Sequence, residues 1–521
     1  MVFTALLAGI LLLLLVSKKL TGSNGRISGL PLPPSPPGLP VLGHLHLLGP
    51  LPHRSLRDLA AKYSPVIHLR LGRVPTVVAC SAAAAEEAMK ARDLAFASRP
   101  RLAMGSGGIG FAPYGEHWRQ ARRVCVTHFL CPRRVASLAR LRRQEAAALV
   151  ARIRRAGAGD EGIVTLSDSL IVYSNTVVIS RAVFGGDKGF SEQGGDRMRK
   201  AFAEIEELLG TAPMAETVPW LRWVDVLVTG LEAKTRRAFQ EMDALLDRVI
   251  TDHRQKRPRQ AAGAEEDDDD EDRDFVDVLL EEYGGSSEAE GAMKGVILDM
   301  LAAATDSTFT LLEWAMAELI NHPDKMLKLQ HEIRHAVARS SGSAGDGGAV
   351  TEGHLPELPY LKAVVRETLR LHPPTPLLLP RETRQDTELQ GYAVPKGTRV
   401  LVHVWAIARD PAIWGADAEE FRFLGYDDGD LLQKKDFAFL PFGAGRRGCP
   451  GVGFAMPSNE LALASLVYSF DWELPHGDGA GGGKKKVDMS ELHGLSVRLK
   501  TPLLLVARPY DAGSRGGQGA A

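Results

Sequence analysis

FLPFGAGRRGCPG, residues 439–451, sets four glycines and two arginines around a single cysteine. Buried cysteines usually act as small inert hydrophobes. Cys449, next to Arg446 and Arg447 in sequence, does not fit that pattern, because neighbouring positive charge favours a thiolate. Three kinds of chemistry suit such a loop: a cysteine nucleophile, a backbone cradle for phosphate, or a thiolate metal ligand. The rest of the chain has to decide among them.

Composition narrows the field. The chain has 521 residues, room for one large domain or two to three ordinary ones. A formal net charge of −1 argues against a nucleic-acid-binding surface spanning the molecule. The cysteines are Cys80, Cys125, Cys131 and Cys449, too few for a disulfide scaffold and suited to a reducing compartment. They form no CxxC pair, which disfavours a structural zinc site or an iron–sulfur cluster.

The N-terminal run MVFTALLAGILLLLLV is apolar from Val2 to Val16 and is followed by Lys18 and Lys19. Charge placed after the apolar run, rather than before it, reads as a membrane anchor over 1–20 that leaves the rest of the chain cytosolic. Its helical reach of about 24 Å suits a thin bilayer of about 27 Å, such as that of the endoplasmic reticulum. A spacer and a proline-rich strap occupy 21–50. PLPPSPPGLPVLGHL, residues 31–45, is too rich in proline for a helix or a central strand. It reads as a stiff linker, or as a strap that sets how the domain sits on the membrane.

From 51 to 510 the pattern predicts one large, mainly helical domain with a small β-rich portion. LARLRRQEAAALVARIRR (138–155) and EAKTRRAFQEMDALLDRVITDHRQKR (232–257) are helical in period, and VIHLRLG and PTVVACS near the start are β-like. EEDDDDEDRD (265–274) would repel itself in a packed site and reads as a solvated loop. SSGSAGDGGA (340–349) and GAGGGKKK (479–486) are loop-like, and 511–521 reads as a disordered tail.

Two further segments carry polar residues in apolar settings. GAMKGVILDMLAAATDSTFTLLEWAMAELIN, from Gly291 to Asn321, lacks proline and ends at His322-Pro323. Apolar around most of its circumference, it predicts a central helix of about 46 Å. Thr305, Asp306, Ser307 and Thr308 stand in its middle beside the small Ala303 and Ala304. Such groups should weaken or widen the local turn. They read either as a polar kink around a water or as a notch where a small ligand is bound and protonated. In YLKAVVRETLRLHPPTP (360–376), Glu367 and Arg370 share a helix face among valines and leucines.

GAGRRG (443–448) matches the dinucleotide pattern GxGxxG, but Pro441 interrupts the strand that should lead in, and Cys449-Pro450 stands where the helix should begin. A cysteine nucleophile would need a histidine base, and none is near in sequence. A lone thiolate among glycines suits a haem, whose flat face needs close backbone approach.

Taken in order, the anchor and proline strap, AATDST on a long helix, the E-x-x-R of Glu367 and Arg370, and FLPFGAGRRGCPG resemble the cytochrome P450 superfamily over nearly the whole chain. The likeness is strongest to plant A-type microsomal monooxygenases, the seventy-one clan, in LLEWAMAELINHP, KLQHEIR, FDWELP and GLSVRLKTPLLLVA. The resemblance implies haem b, with Cys449 as the axial thiolate ligand of the iron, Phe442 packed beside it, and Gly445 and Gly451 shaping the loop. It implies that Arg447, Trp118, Arg122 and Arg381 hold the haem propionates. Ala303, Ala304, Asp306 and Ser307 would form the dioxygen and proton-delivery site, and Glu367, Arg370 and Arg422 would be structural.

The implied activity is monooxygenation of a small, largely apolar specialised metabolite, by a monomer on the endoplasmic reticulum membrane. Electrons would come from NADPH through NADPH–cytochrome P450 reductase docked near Arg446. The substrate would lie among residues 101–117, the notch helix, Thr375 to Leu379, and Leu492 to Val497.

The sequence also departs from the family pattern. Ala304 stands where glycine is usual, Ser307 where threonine is usual, and Gly448 where a bulkier residue is usual. AEEFRFLG (418–425) lacks three residues of the usual EEF-x-PERF, so Arg422 is the remaining candidate to pair with Glu367. An unpaired Glu367 would cost about 3–5 kcal/mol. That departure keeps open a degenerate, non-catalytic haem protein, beside a haem-thiolate isomerase or dehydratase.

Overall fold

The computed structural model describes residues 29–101, 108–159, 162–175, 229–261, 274–284, 287–340, 349–423, 437–475 and 486–511, with scattered positions from 183 to 226. The expected anchor (1–20), nearly all of the acidic run and of the terminal tail, and most of the two glycine-rich loops lie outside them.

Helices dominate: α1 (Glu116–Val124), α2 (Ala139–Ala156), α3 (Leu166–Asn175), α4 (Leu231–Ala261), α5 (Ser287–Asn321), α6 (Pro323–Ser340), α7 (Pro359–Leu371) and α8 (Val452–Ser469). The 35 residues of α5 span about 52 Å, and it packs against α3, α6, α7 and α8. By length and composition α5 would pass for a membrane span, but two thirds of its most apolar stretch is buried inside the domain. It is the central beam of the main core, where α7 and α8 also meet.

In α7 the buried Leu361, Val364, Val365, Thr368, Leu369 and Leu371 recur at helical spacing. Pro359 sits in the first turn, where its missing N–H costs nothing. Pro373, two residues beyond Leu371, prevents continuation. The indole of Trp314 on α5 donates to the Val497 carbonyl at 2.9 Å and stacks on His372 with ring centroids 4.0 Å apart. This fixes the C-terminal end of α7 against the beam.

Short strands flank the helices: β1 (Val66–Leu71), β2 (Val74–Ala79), β3 (Ile163–Thr165), β4 (Arg381–Glu382), β5 (Arg399–Val402), β6 (Phe470–Glu473) and β7 (Leu504–Pro509). A four-stranded sheet runs β1–β2–β5–β4, antiparallel except for the parallel β2–β5 pair. Its opening hairpin turns through Gly72 at φ +60°, where an added Cβ would meet the Thr217 backbone. A smaller sheet runs β3–β7–β6. The expected β-like runs are β1 and β2.

The proline strap is extended and fastened to this β-rich portion. His68 N–H on β1 donates to the Pro34 carbonyl at 2.9 Å, and Ala393 N–H donates to that of Pro31 at 2.8 Å. His44 accepts at Nδ1 from Arg70 N–H and bonds the Pro36 carbonyl through Nε2, at 2.7 and 2.8 Å. The strap is therefore part of the domain surface from Pro31 onward.

Candidate haem-thiolate site

The loop that carries Cys449 closes on itself. Gly443 N–H donates to the Leu440 carbonyl at 3.0 Å, Cys449 N–H to Phe442 at 2.8 Å, and Gly448 N–H to Gly445 at 2.9 Å. Gly443 and Gly445 have φ of +64° and +68°, open to glycine at no steric cost. A Cβ on Gly445 would collide with the Met89 carbonyl and stand 2.8 Å from an Asp93 oxygen. Gly451 caps α8, and its N–H donates to Cys449 Sγ at 3.4 Å.

The thiol opens onto an internal cavity of about 280 Å³, which Phe442 also lines. The sequence suggests a lowered thiol pKa, but in the structure it is raised. Burial dominates, against the opposing pull of the Gly451 N–H and the Arg122 guanidinium. Arg446 faces Asp93 at 3.3 Å and is half exposed, so its charge is directed away from the sulfur.

Four guanidinia converge on the cavity wall: Arg99, Arg122, Arg381 and Arg447. Arg447 donates to the carbonyls of Ala97, Ile109 and Ala112 at 2.7, 3.3 and 2.7 Å, and lies 4.2 Å from the Trp118 ring centroid. Arg122, from α1, donates to Gly448 at 2.8 Å. Arg99 donates to Gly110, Leu379 and Pro380 at 2.9, 2.7 and 3.0 Å. Arg381 bonds the Ala444 carbonyl at 3.0 Å and is the one with a carboxylate partner, Asp93 at 3.4 Å.

Burial pushes all four below the ordinary arginine value, Arg447 to about 9 with Arg381 and Arg122 adding repulsion. Asp299 offsets Arg99 and Asp93 acts on Arg447 from beyond ion-pair distance, so among the described residues neither Arg122 nor Arg447 has a carboxylate in direct contact. Buried unmatched cations are costly. One such cation, Arg447, and a half-buried one, Arg122, beside an open thiol and a glycine-lined loop fit a flat, iron-bearing ligand with two carboxylates. Haem b is such a ligand.

Opposite the thiol lies the middle of α5. Ala303 is exposed to the cavity, and Ala304, Asp306 and Ser307 also line it. The helix runs through this notch without a break, contrary to the expected weakening. Ser307 and Asp306 find partners that leave the ladder intact, while the Thr305 hydroxyl is buried without a hydrogen-bond partner. Ser307 Oγ donates back to the Ala303 carbonyl at 2.7 Å. Asp306 accepts from the hydroxyl and main chain of Ser496, while burial raises its pKa.

Behind the site, Arg370 Nε and Nη2 form a paired contact with Glu367 at 2.8 and 2.7 Å. Arg370 also donates to the carbonyls of Ala408, Ala418 and Glu420 at 2.8, 2.7 and 3.0 Å. The Arg422 side chain does not join them. It pairs with Asp417 and donates to the Trp414 carbonyl at 3.1 Å, while its main-chain N–H donates to Glu367 Oε1 at 2.9 Å. The expected guanidinium partner is thus replaced by a backbone donor, because the shortened segment brings the chain itself to Glu367.

Of the expected substrate contacts, Ile109, Gly110 and Phe111, then Thr375, Leu378 and Leu379, and finally Leu495 and Ser496 line the cavity. Residues 102–107 are outside the described residues. Sequence reasoning missed Arg99, Asp299, Phe129 and Asn459, which also line it. For Asp299, a lone carboxylate one turn before the notch on an apolar helix was an available signal.

Fold and site together define a mainly helical haem-thiolate enzyme. Residues 33–490 match the family described as Cytochrome P450. The chain is 42% identical over 491 residues to the (+)-menthofuran synthase of Mentha piperita, covering 92% of this chain and 94% of that protein. It is 42% identical to Cytochrome P450 71A6 of Nepeta racemosa, over 93% and 95% of the two chains. To the norfluorocurarine oxidase of a Strychnos species it is 39% identical over 91% and 92%. The chain belongs to the cytochrome P450 family. It is an oxidoreductase of the monooxygenase type that uses haem b, in a family for which NADPH delivered through a reductase is standard.

Proposed function

We propose that this chain is a membrane-anchored monooxygenase that places one oxygen atom of dioxygen into a small, largely apolar organic molecule and releases the other as water. NADPH supplies the two electrons through the flavoprotein reductase, and the catalytic domain faces the cytosol from the endoplasmic reticulum membrane. The observation that carries this reading is that the Cys449 thiol and the Ala303–Ser307 notch share one cavity. The names of relatives, a menthofuran synthase and a norfluorocurarine oxidase, support a small organic substrate.

Cys449 would hold the iron of haem b through its thiolate, and the bound haem would supply oxygen activation. Arg122, Arg381 and Arg447 would hold the haem carboxylates, and Gly443 and Gly451 would let the backbone approach the ring. Trp118 and Gly445, expected at the haem, stand behind this wall, on the Ile109 carbonyl and against Met89 respectively. Gly451 N–H, at 3.4 Å from the sulfur, tempers its basicity. Ser307 Oγ carries a proton 2.7 Å from the Ala303 carbonyl, on the wall facing the cavity. Asp306, one residue earlier, accepts from Ser496 and has its carboxyl pKa raised by burial; in this reading it is the proton reservoir of the notch. Met300, Leu311, Phe111, Leu379 and Leu495 exclude water and favour an apolar substrate.

The deciding experiment is the absorption difference spectrum of the reduced protein with carbon monoxide. A strongly red-shifted Soret band, lost in Cys449→Ser, is the expected result. A band typical of neutral-ligand haem, or none, overturns the reading. Reductase-dependent NADPH oxidation then separates a monooxygenase from an isomerase that needs no electrons.

A further inference from the structure

We propose that Asp299 is a positioning residue that clamps the main chain at 108–110 and, through it, holds the haem-carboxylate pocket in place. This rests on the haem reading given above.

Asp299 lies on α5, one turn before Ala303, and it is half-buried in the cavity wall. Gly110 N–H donates to its Oδ2 at 2.7 Å, and Ile109 N–H is a second donor. The two residues it grips turn their carbonyls the other way, onto the groups that line the carboxylate pocket. The Ile109 carbonyl accepts from Trp118 Nε1 at 3.1 Å and from Arg447 Nη1 at 3.3 Å. The Gly110 carbonyl accepts from Arg99 Nε at 2.9 Å. One carboxylate therefore sets the height of a two-residue bridge on which two cavity-lining guanidinia, Arg99 and Arg447, and the Trp118 indole behind them rest.

Packing shows that the approach is close. A Cβ at Gly108 would collide with the Asp299 carboxylate and stand 2.6 Å from the Gly295 carbonyl. The segment lies against α5 at a distance that only glycine permits, so the clamp and the glycine work as a unit. The charge balance agrees. Asp299 is the carboxylate that offsets Arg99, while Arg122 and Arg447, with no carboxylate in direct contact among the described residues, face the two carboxylates of haem. The bridge also joins both halves of the site. Ile109 and Gly110 line the cavity where a substrate would lie, while their carbonyls reach the haem-holding cations.

Three variants test the clamp in the full-length protein: Asp299→Leu, which removes the acceptor at similar volume, Asp299→Asn, which keeps one, and Gly108→Ala, which pushes the segment off the carboxylate. Haem transfer to apomyoglobin should quicken about tenfold in the Leu variant and in Gly108→Ala. The Asn variant should stay within about threefold of the parent. The haem-propionate bending bands in resonance Raman spectra should shift in the first two variants, a signature that general destabilisation would not give.

Parent-like haem loss in both Asp299→Leu and Gly108→Ala overturns the clamp. So does an Asn variant as weak as the Leu variant. If Asp299→Leu does not fold, Gly108→Ala and Asp299→Asn decide on the same readouts. Hydrogen exchange at the 109 and 110 amides is a haem-free readout. It should be faster in the Leu variant, and unchanged exchange overturns the proposal. A parent protein with no thiolate-type band overturns the haem reading instead, and hydrogen exchange then decides the clamp alone.

Discussion

The main-chain N–H of Arg422 donates to Glu367 Oε1 at 2.9 Å, while the Arg422 guanidinium turns away to Asp417 and Trp414. Glu367 is thus fully paired, with Arg370 on both oxygens and a backbone amide on one. The shortened AEEFRFLG segment leaves no uncompensated charge at Glu367, which removes the reason to suspect a degenerate fold. Truncating Arg422→Ala should therefore cost under about 1 kcal/mol, since it breaks a half-exposed pair. Arg370→Ala strands the buried Glu367 and three carbonyls and should cost about 3–5 kcal/mol. Thermal unfolding and haem content of the two purified variants provide the comparison; equal losses would mean the Arg422 side chain matters after all.

Ser307 makes its hydroxyl bond within its own helix, to the Ala303 carbonyl. To serve as a proton donor in the cavity it must rotate, and serine turns about χ1 more freely than a β-branched residue. Ser307→Ala should raise the peroxide released per NADPH oxidised by roughly two- to fivefold, with reductase present and a turned-over substrate. Ser307→Thr should bring it to or below the parent level. An alanine variant as well coupled as the parent would remove Ser307 from proton delivery.

The sequence is most legible where structure is local. The glycines and cysteine of 439–451, the proline stop after α7 and the uninterrupted apolar run of α5 each carry their structural reason within a dozen or so neighbouring residues. What it hid was long-range or made of backbone. Arg99 and Asp299 line the cavity through partners almost two hundred or more positions away, Leu379 and Gly110 respectively. A main-chain donor replacing a guanidinium at Glu367 has no residue type to betray it. The direction of the Cys449 shift was misjudged for a related reason: adjacent arginines can be read from letters, but the degree of desolvation cannot.

Two glycines in the cysteine loop should behave differently. Gly445 sits at φ +68° with the Met89 carbonyl in the path of any Cβ. Gly445→Ala should cost about 2–4 kcal/mol and deplete bound haem. Gly448 has φ −59°, and its added methyl would meet the Gly445 carbonyl at 3.2 Å, a contact a small shift relieves. Gly448→Ala should cost under about 1 kcal/mol. Haem-to-protein ratios of the two variants, expressed side by side, test the contrast.

Acid stability rests on a residue outside the cavity lining. His403 is fully buried; its Nε2–H donates to the His53 carbonyl at 2.6 Å, and its Nδ1 accepts from Ala406 N–H at 3.2 Å. Both ring nitrogens are used by the neutral form, and a second proton would break the Ala406 contact. Burial, helped by His53 and Arg57, lowers its pKa to about 3 from an ordinary 6.5. Because the unfolded chain takes up the proton more readily, the stability that neutral His403 contributes is present above pH 6.5. It is lost as pH falls towards 3. At about 1.4 kcal/mol per unit, the parent should lose roughly 2 kcal/mol from this residue between neutral pH and pH 5. His403→Gln keeps a donor for His53 but cannot titrate, so its stability should fall less over that interval. Parallel pH profiles for parent and variant would show that another group, not His403, sets the acid limit.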